Sequence, residues 1–276
     1  MHQQRGLGCD DAYAYGVTDG FVIAAVADGA GSVSGTSAWG SHAATQSVLT
    51  DALRRRFRRA FHAEPASHAA QMRWLFERAL TTVRAQAAAM KLDVPLLSTT
   101  LSVVVADRRR AVFGQIGDGV IAAETSGGIS TFLTETKDDY ANTTWFLQSD
   151  RAFEESFRTA TVLDMSAFAL STDGMTYKIT NIATGEPYEP FFRGSWQHVR
   201  SGTDSAHFAA LMRGIKDDQT GDDKTMVLAA LRWEADDFHP SDRPVQTLMV
   251  SSAAPRSGSR PVPAGGDTAR RMPTRR

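Results

Sequence analysis

Short apolar runs separated by turn residues predict most of the strands. The run Phe21–Ala27 is apolar throughout, which is typical of a strand buried on both faces. Six further segments have the composition of strands and are bounded by turn residues. They cover Thr99–Ala106, Ala111–Ile116, Val120–Thr125, Ile129–Leu133, Ser166–Leu170 and Thr225–Trp233.

Two long segments near the start of the chain carry apolar residues at helical spacing. Thr36–His62 and Ser67–Met90 are rich in Ala and Arg, and Pro65 separates them, which predicts an antiparallel pair of helices. Pro187–Val199 and Asp204–Lys216 are the later predicted helices. Because helices and strands fall into separate groups, the pattern favours a layered α+β fold over alternating βαβ units.

The composition of the 276-residue chain fits a folded domain followed by a basic tail. Hydrophobic residues make up 42% of the chain, an ordinary value for a globular protein. From Ser251 onward there are six arginines and one aspartate among Ser, Gly, Pro and Ala. Such a segment has too little apolar surface to offset the entropy lost on ordering. We therefore predict a domain over residues 1–235 and a disordered tail, rich in Pro and Arg, over residues 236–276.

Charge and cysteine content exclude several classes of protein. Lys and Arg total 30 and Asp and Glu total 31, a formal charge of −1, whereas a dedicated nucleic-acid-binding domain normally has a basic excess. Cys9 is the single cysteine, which excludes a disulfide framework and a four-cysteine zinc site. No apolar run approaches the roughly 18 residues of a membrane span, and residues 1–11 contain no stretch suited to a signal peptide. We expect a soluble, cytoplasmic protein with no nucleic-acid partner and no membrane span.

Aspartates recur at the ends of the predicted buried segments. A carboxylate in that position is costly unless a cation neutralises it. A single Asp-Gly pair is ordinarily a hairpin turn, but several that converged would form an all-oxygen cluster that repels itself. Such a cluster suits Mg²⁺ or Mn²⁺ rather than zinc or copper. The acidic turns are Cys9-Asp10-Asp11-Ala12, Asp28-Gly29, Gly117-Asp118-Gly119, Ser171-Thr172-Asp173-Gly174 and Gly221-Asp222-Asp223.

Two nucleotide-binding motifs can be tested on the segment after the first predicted strand. Gly29-Ala30-Gly31 follows a strand, as a dinucleotide-binding loop would, but Ser34 stands where the third glycine should be. Asp28 would also repel a pyrophosphate. The chain has no Gly-Lys-Ser/Thr sequence, so a P-loop is absent as well.

Taken in order, the acidic motifs resemble those of the metal-dependent protein phosphatases of type 2C, most of all their compact bacterial branch. The resemblance spans about residues 1–233. It implies a four-layer αββα sandwich, in which two antiparallel sheets face each other and helices cover them. The matching segments are His2 with Gly6 and Cys9–Ala12, then Val26–Ser32, Gly117–Gly119, Ser171–Gly174 and Gly221–Thr225.

The resemblance also implies two Mn²⁺ or Mg²⁺ ions at one end of the sandwich. Asp28 would bridge the two ions, and Asp173 and Asp222 would hold one of them, which makes these three the expected catalytic residues. A water activated by the ions would attack the phosphorus of a phosphoserine or phosphothreonine. No cysteine nucleophile is then required, so Cys9 is expected to be a small packed residue.

The remaining metal ligands that the resemblance implies lie in three of the acidic turns. The backbone carbonyl of Gly29 would bind the other ion, and Asp10 or Asp11 would complete its coordination, directly or through water. Asp118 matches the family position that is associated with a third, weaker metal ion.

The expected phosphate-binding residue departs from the family pattern. Many relatives have an arginine five residues before the position of Asp11, but that position is Gly6 here. Arg5 or His2 is therefore the candidate for phosphate binding, with a solvated or structural role as the alternative. The family's substrate-facing flap tends to fall at Asp138–Gln148, whose aromatic side chains either contact substrate or pack in the core.

Three functions are compatible with these motifs. The leading one is a protein serine/threonine phosphatase that acts on a phosphorylated protein and reverses the action of a serine/threonine kinase. A non-catalytic phosphoprotein-binding module on the same fold is the second, and the absent arginine favours it. A phosphatase of small molecules is the third. The presence of every acidic motif favours an enzyme, since a binding module has little reason to keep clustered like charges.

Overall fold

The structure is a computed structural model, and it describes residues 9–30, 35–134, 144–215 and 222–232 together with the backbone of Met249–Ser252. Within these ranges the chain forms ten strands and seven α-helices. The strands are β1 (Ala12–Thr18), β2 (Phe21–Ala27), β3 (Leu101–Ala106), β4 (Arg110–Ile116), β5 (Val120–Thr125), β6 (Gly128–Phe132), β7 (Arg158–Leu163), β8 (Ala167–Ser171), β9 (Met226–Ala230) and β10 (Met249–Ser252).

The strands form two antiparallel sheets. The first has the order β1-β2-β3-β4-β7-β10 and the second the order β6-β5-β8-β9. Ala12 pairs with Ala27, and Leu101 pairs with Ile116, so the start of β1 and β3 lies beside the end of β2 and β4. The turn after Ile116 leads into β5, whose first residue pairs with the last residue of β8. One end of the sandwich therefore collects the segments that carry the acidic motifs.

The helices lie on the outer faces of the two sheets. None of the helices in the described ranges has both the length and the apolar character that a bilayer crossing requires. The helices are α1 (Ser37–Ala52), α2 (Arg55–Ala63), α3 (His68–Met90), α4 (Ala152–Glu155), α5 (Thr176–Ile179), α6 (Glu189–Arg200) and α7 (Ser205–Gly214).

Three layers of apolar contact hold the sandwich together. The first joins α1 and α3 to the first sheet, where Phe76 and Ile23 are both fully buried. The second lies between the sheets and includes Val104 and Leu170. The third packs α6 on the second sheet through Trp196. The predicted four-layer αββα sandwich is confirmed.

Most predicted elements are present, with small shifts at their ends. The prediction of one helix over Thr36–His62 is wrong, because Arg54 adopts an extended conformation (φ −60°, ψ 133°) that separates α1 from α2. Three strands, β1, β7 and β10, were not predicted. Met249–Ser252 fall in the tail predicted to be disordered, yet their backbone pairs with β7. The rest of residues 236–276 lies outside the described ranges, so the domain boundary stays a prediction.

Candidate metal centre

The Asp10–Asp11 pair lies just ahead of β1 and is held from three directions. Asp10 is buried, and its backbone N–H donates a hydrogen bond to Asp223 Oδ2 at 2.8 Å. The Asp10 carbonyl oxygen accepts a hydrogen bond from Ser41 Oγ at 2.6 Å. Asp11 Oδ2 accepts one from Thr172 Oγ1 at 2.7 Å. The loop is thereby fixed between α1, the end of β8 and the segment before β9.

Asp28 follows the last residue of β2 and is fixed by its backbone. Its N–H donates to Thr100 Oγ1 at 3.0 Å. Its carbonyl oxygen accepts from the Thr100 N–H at 2.8 Å and from Thr99 Oγ1 at 2.9 Å. The carboxyl groups of Asp28 and Asp11 lie close enough for each to shift the pKa of the other. The two acidic loops of the first sheet are therefore in direct contact.

Gly29 has no room for a side chain. A Cβ atom added there would lie 2.6 Å from the Asp10 carbonyl oxygen and 2.9 Å from Ser37 Cβ. Because both neighbours belong to well-packed segments, the Asp10 loop can approach the end of β2 only where glycine stands. The glycine thus brings the backbone after Asp28 against the acidic loop.

Asp173 and Asp222 reach the same end of the molecule from the second sheet. Asp173 begins the short 3-10 helix Asp173–Met175 directly after β8. A Cβ atom added to Gly174 would lie 1.9 Å from the Asp223 carbonyl oxygen. The turn after β8 and the segment before β9 therefore touch through their backbones, which places their carboxylates side by side.

Thr172 connects the acidic segments of the two sheets. Its backbone N–H donates to the Thr225 carbonyl oxygen at 3.0 Å, and its Oγ1 accepts from the Thr225 N–H at 3.1 Å. The same hydroxyl donates to Asp11 Oδ2. We refer to the carboxylates that these contacts gather as the acidic cluster, which comprises Asp11, Asp28, Asp173, Asp222 and Asp223.

Two carboxyl groups of the acidic cluster have strongly raised pKa values. Burial raises the pKa of Asp11 to about 6, partly offset by hydrogen bonds from Thr172 and Asp28. The pKa of Asp28 is raised to about 10, first by burial and then by the negative charges of Asp11 and Asp173, with Asp222 contributing as well. The principal causes include no lysine or arginine. Burial and neighbouring carboxylates therefore dominate the electrostatics of these two groups.

The contact between Asp11 and Asp28 shows how the residues fit a cation. Two carboxyl groups can hydrogen-bond to each other only if one of them carries a proton. A divalent cation among the same oxygens would replace that proton, and carboxylate and carbonyl oxygens are the donors that Mg²⁺ and Mn²⁺ prefer. In the described part of the chain, no three His, Cys, Asp or Glu side chains are already grouped closely enough to hold a metal ion. The donor chemistry of the cluster therefore fits a hard divalent cation.

Asp118 lies at the same end of the sandwich but apart from the acidic cluster. Its Oδ2 accepts a hydrogen bond from Thr144 Oγ1 at 2.9 Å. A Cβ atom on Gly117 would lie 2.6 Å from Thr100 Cγ2, and one on Gly119 would lie 2.6 Å from a carbonyl oxygen of β8. The turn is therefore pressed against both sheets. Among the residues described, no hydrogen bond joins Asp118 to the acidic cluster.

The two candidates for phosphate binding, Arg5 and His2, lie outside the described residues. Part of the predicted flap, residues 138–143, lies outside them as well. The end of that segment packs inward: Leu147 is fully buried, and Gln148 Nε2 donates to the Leu97 carbonyl oxygen at 2.6 Å. Core packing therefore accounts for Leu147, and of the flap's aromatic residues Trp145 is partly buried against the same core layer.

Cys9 lies beside the acidic cluster with an exposed side chain, so the prediction of a packed cysteine is wrong. The loop leaves its thiol at the surface, ahead of the buried Asp10. Partial burial and the negative charges of Asp11 and Asp223 raise the pKa of the Cys9 thiol to about 12. The thiolate is therefore strongly disfavoured, which argues against a nucleophilic role.

Three functional residues were not singled out from the sequence. Asp223 adds charge to the cluster, Thr172 orients Asp11, and Thr100 anchors Asp28. The repeated aspartate at 222–223 is a signal that could have pointed to Asp223. The two threonines carry no such signal, because their roles depend on contacts between distant segments.

The protein is an αββα sandwich of two facing antiparallel sheets. Carboxylates from both sheets gather at one end and form an acidic site there. The chain belongs to the protein phosphatase 2C family, whose family model matches residues 1–213. The resemblance seen in the motifs is thereby confirmed.

Solved structures share this fold at low sequence identity. A bacterial serine phosphatase is 14% identical with a TM-score of 0.55, and the match covers 82% of this chain and 93% of that chain. The serine/threonine phosphatase Stp1 from Staphylococcus aureus is 18% identical with a TM-score of 0.53, covering 82% of this chain and 90% of that one. No curated protein matches the sequence. At these identities the likeness shows the fold.

Proposed function

We propose that this protein is a metal-dependent protein serine/threonine phosphatase. The observation that carries the proposal is the acidic cluster, whose carboxylates come from both sheets and in which burial raises the pKa of Asp11 while burial and neighbouring carboxylates raise that of Asp28. Buried like charges are unfavourable for a purely structural role. Membership of the protein phosphatase 2C family supports the class of reaction.

The roles of the ligands follow the grouping of the carboxylates. The charges of Asp11, Asp173 and Asp222 raise the pKa of Asp28, which lies near all three, so we assign Asp28 the position between two cations. Asp173 and Asp222, from the second sheet, would hold one cation. Asp11 and the carbonyl oxygen of Gly29, from the first sheet, would hold the other.

Four residues have more peripheral proposed roles. Asp10 would contribute through water, because its backbone already bonds to neighbouring segments. Asp118, with its hydrogen bond to Thr144, would bind a third, weaker ion. Arg5 or His2 would contact the phosphate group of the substrate.

The side chains prepare the site for hydrolysis by water. Two Mn²⁺ or Mg²⁺ ions, when bound, supply a water of lowered pKa and offset the charge of the phosphoryl group. The hydrogen bond from Thr172 orients the Asp11 carboxylate, and the contacts with Thr100 fix Asp28 relative to β3. Rigid ligands of this kind keep the reacting groups in line without a protein nucleophile.

The proposed substrate is a phosphorylated protein, the product of a serine/threonine kinase. The formal charge of −1 gives no support for a nucleic-acid substrate. We place the protein in the cytoplasm, where its single cysteine is compatible with a reducing environment.

The deciding experiment measures hydrolysis of a phosphothreonine peptide by the full chain, with and without millimolar Mn²⁺. We expect turnover only with the metal, and a fall in kcat/KM of about 100-fold or more in Asp28→Asn and Asp173→Asn. Asp164→Asn is the matched control, since this exposed aspartate lies in the turn after β7, away from the cluster. It removes the same charge and should leave kcat/KM unchanged.

The outcomes separate the candidate functions. Equal activity in Asp28→Asn, Asp173→Asn and the unmodified chain would contradict the proposed metal roles. Tight Mn²⁺ binding with no hydrolysis of any ester would point to a binding module. Hydrolysis of p-nitrophenyl phosphate and small phosphate esters, with none of phosphopeptides, would indicate a small-molecule phosphatase. Circular dichroism verifies that each variant is folded.

A further inference from the structure

Arginines gather at the end of the sandwich opposite the acidic cluster. The turns between β1 and β2 and between β3 and β4 lie at the strand ends farthest from Asp28. Although the formal charge of the whole chain is −1, one end of the sandwich is acidic and the opposite end is basic. The basic face comprises five exposed side chains, three on α2 and two in the β3–β4 turn: Arg55, Arg56, Arg59, Arg108 and Arg109.

Side-chain contacts make the basic face continuous. Arg58, on α2, donates a hydrogen bond from Nη1 to Asp19 Oδ2 in the β1–β2 turn at 3.3 Å. The next residue of that turn, Gly20, packs against Arg108, whose Nε would lie 3.3 Å from a Cβ atom at Gly20. The β1–β2 turn is thus held between α2 and the β3–β4 turn, which brings their arginines together.

Two of the acidic residues nearby, Asp19 and Asp107, are engaged in holding the turns, while the exposed Asp164 lies beside Arg109, whose carbonyl oxygen accepts from the Asp164 N–H at 3.3 Å. Asp107 Oδ2 lies 3.1 Å from His62 Nδ1, and Asp107 Oδ1 accepts from the backbone N–H of Arg109 at 2.8 Å. Asp19 is bound to Arg58. Within the described ranges, no carboxylate forms an ion pair with any of the five arginines of the basic face. Their charges are available to a partner.

The apolar side of α2 is already covered by the protein. Phe57 and Phe61 are buried against the core. Trp74, which is 39% exposed, stacks on Phe57 with ring centroids 6.0 Å apart. The α2 helix therefore has no free apolar stripe that could insert into another molecule or a membrane. It presents guanidinium groups to the surroundings, with the partly exposed ring of Trp74 near them.

We infer that the basic face binds the headgroups of an anionic lipid surface, with the protein lying on the bilayer. Guanidinium groups match the geometry of phosphate oxygens, and several arginines close to an anionic leaflet are enough for reversible attachment. A stable protein interface would need an apolar centre, whereas the basic face consists of charged side chains. Attached in this way, the molecule would turn its acidic cluster away from the lipid.

The test measures binding of the full chain to vesicles of phosphatidylcholine with about one quarter phosphatidylglycerol. We expect sedimentation with these vesicles, none with pure phosphatidylcholine, and weaker binding as salt screens the charges. In the triple variant Arg55→Gln/Arg56→Gln/Arg59→Gln the partition coefficient should fall about 100-fold, since each arginine near an anionic surface contributes roughly fivefold. Vesicle binding needs neither substrate nor metal, so the result is independent of the proposed function.

Matched variants keep the inference falsifiable. Arg84→Gln/Arg193→Gln/Arg213→Gln removes the same charge from exposed arginines elsewhere and should bind as the unmodified chain does. An equal loss in this control would overturn the inference, because net charge alone would then explain binding. Undiminished binding of the first triple variant would assign attachment to the arginines after residue 251. Binding to poly-glutamate without binding to vesicles would assign the basic face to an acidic protein.

Discussion

Asp28 shows how one buried carboxyl group can govern the response of the protein to pH. Without metal, the raised pKa values of Asp28 (about 10) and Asp11 (about 6) mean that the folded state keeps protons that the unfolded chain releases near pH 4. The resulting stabilisation is complete below about pH 4 and is lost as pH rises through 6 and towards 10. We expect the Tm of the metal-free protein, measured by calorimetry with a chelator, to decrease as the pH is raised from 5 to 8.

The variant Asp28→Asn separates stability from catalysis. Asparagine keeps a donor for the Asp11 carboxylate and, unlike Asp28 with its pKa of about 10, takes up no proton on folding at pH 8. We expect the Tm of the metal-free variant at pH 8 to exceed that of the unmodified chain by about 4 °C or more, with a smaller difference at pH 5. Asp164→Asn, which is exposed, should leave Tm nearly unchanged. A lower Tm for Asp28→Asn at pH 8 would refute this account of the protonated buried carboxyl group.

The sequence predicted the acidic positions better than the residues that support them. An aspartate at the end of an apolar run can be recognised locally, because its cost depends on the burial of its own segment. Thr172 and Thr100 act through hydrogen bonds to Asp11 and Asp28, which are distant in the chain. Such pairings arise from the packing of the two sheets, so no local pattern marks them.

At the level of elements, the strand that was not predicted ahead of β2 has an exceptional surface. Along β1, Tyr13, Tyr15 and Val17 are 57%, 63% and 69% exposed, although they share the face that β2 buries between the sheets. The second sheet ends at β9 and leaves this face uncovered. An exposed strand position usually carries a polar residue. Because Tyr13, Tyr15 and Val17 are not polar, β1 lacks the alternation of apolar and polar residues by which a strand is predicted. The grouping of helices and strands indicated a layered α+β fold, and the resemblance of the acidic motifs to the family supplied the four-layer arrangement.

The packing of α1 on the segment before β3 depends on a glycine. A Cβ atom on Gly40 would lie 2.0 Å from the Leu97 carbonyl oxygen, whereas one on Gly194 in α6 would meet nothing within 4 Å. We expect Gly40→Ala to lower the free energy of unfolding by about 2 kcal/mol. Gly194→Ala should raise it by about 0.5 kcal/mol, because alanine favours helix. Urea unfolding compares the two, and equal changes would contradict the packing described.

Across the whole molecule, the proposed cations would link the two sheets. Because Asp11 and Asp28 come from the first sheet and Asp173 from the second, ions bound by all three should oppose global unfolding. Mn²⁺ at about 100 times its dissociation constant should add about 2.7 kcal/mol to the free energy of unfolding. Thermal unfolding at pH 7.5 should show this gain in the unmodified chain and little of it in Asp173→Asn. A gain of the same size in both would indicate that the metal binds elsewhere.

The hydrogen bond between the Asp10 N–H and the Asp223 carboxylate joins residues 213 positions apart. During synthesis the amino-terminal carboxylates therefore emerge long before the partners that complete their site. A chain released early from the ribosome would contain Asp11 and Asp28 but not Asp222, and could not hold the proposed pair of ions. The proposed activity would then arise only after residue 222 has been translated. Products that end before this residue would lack it.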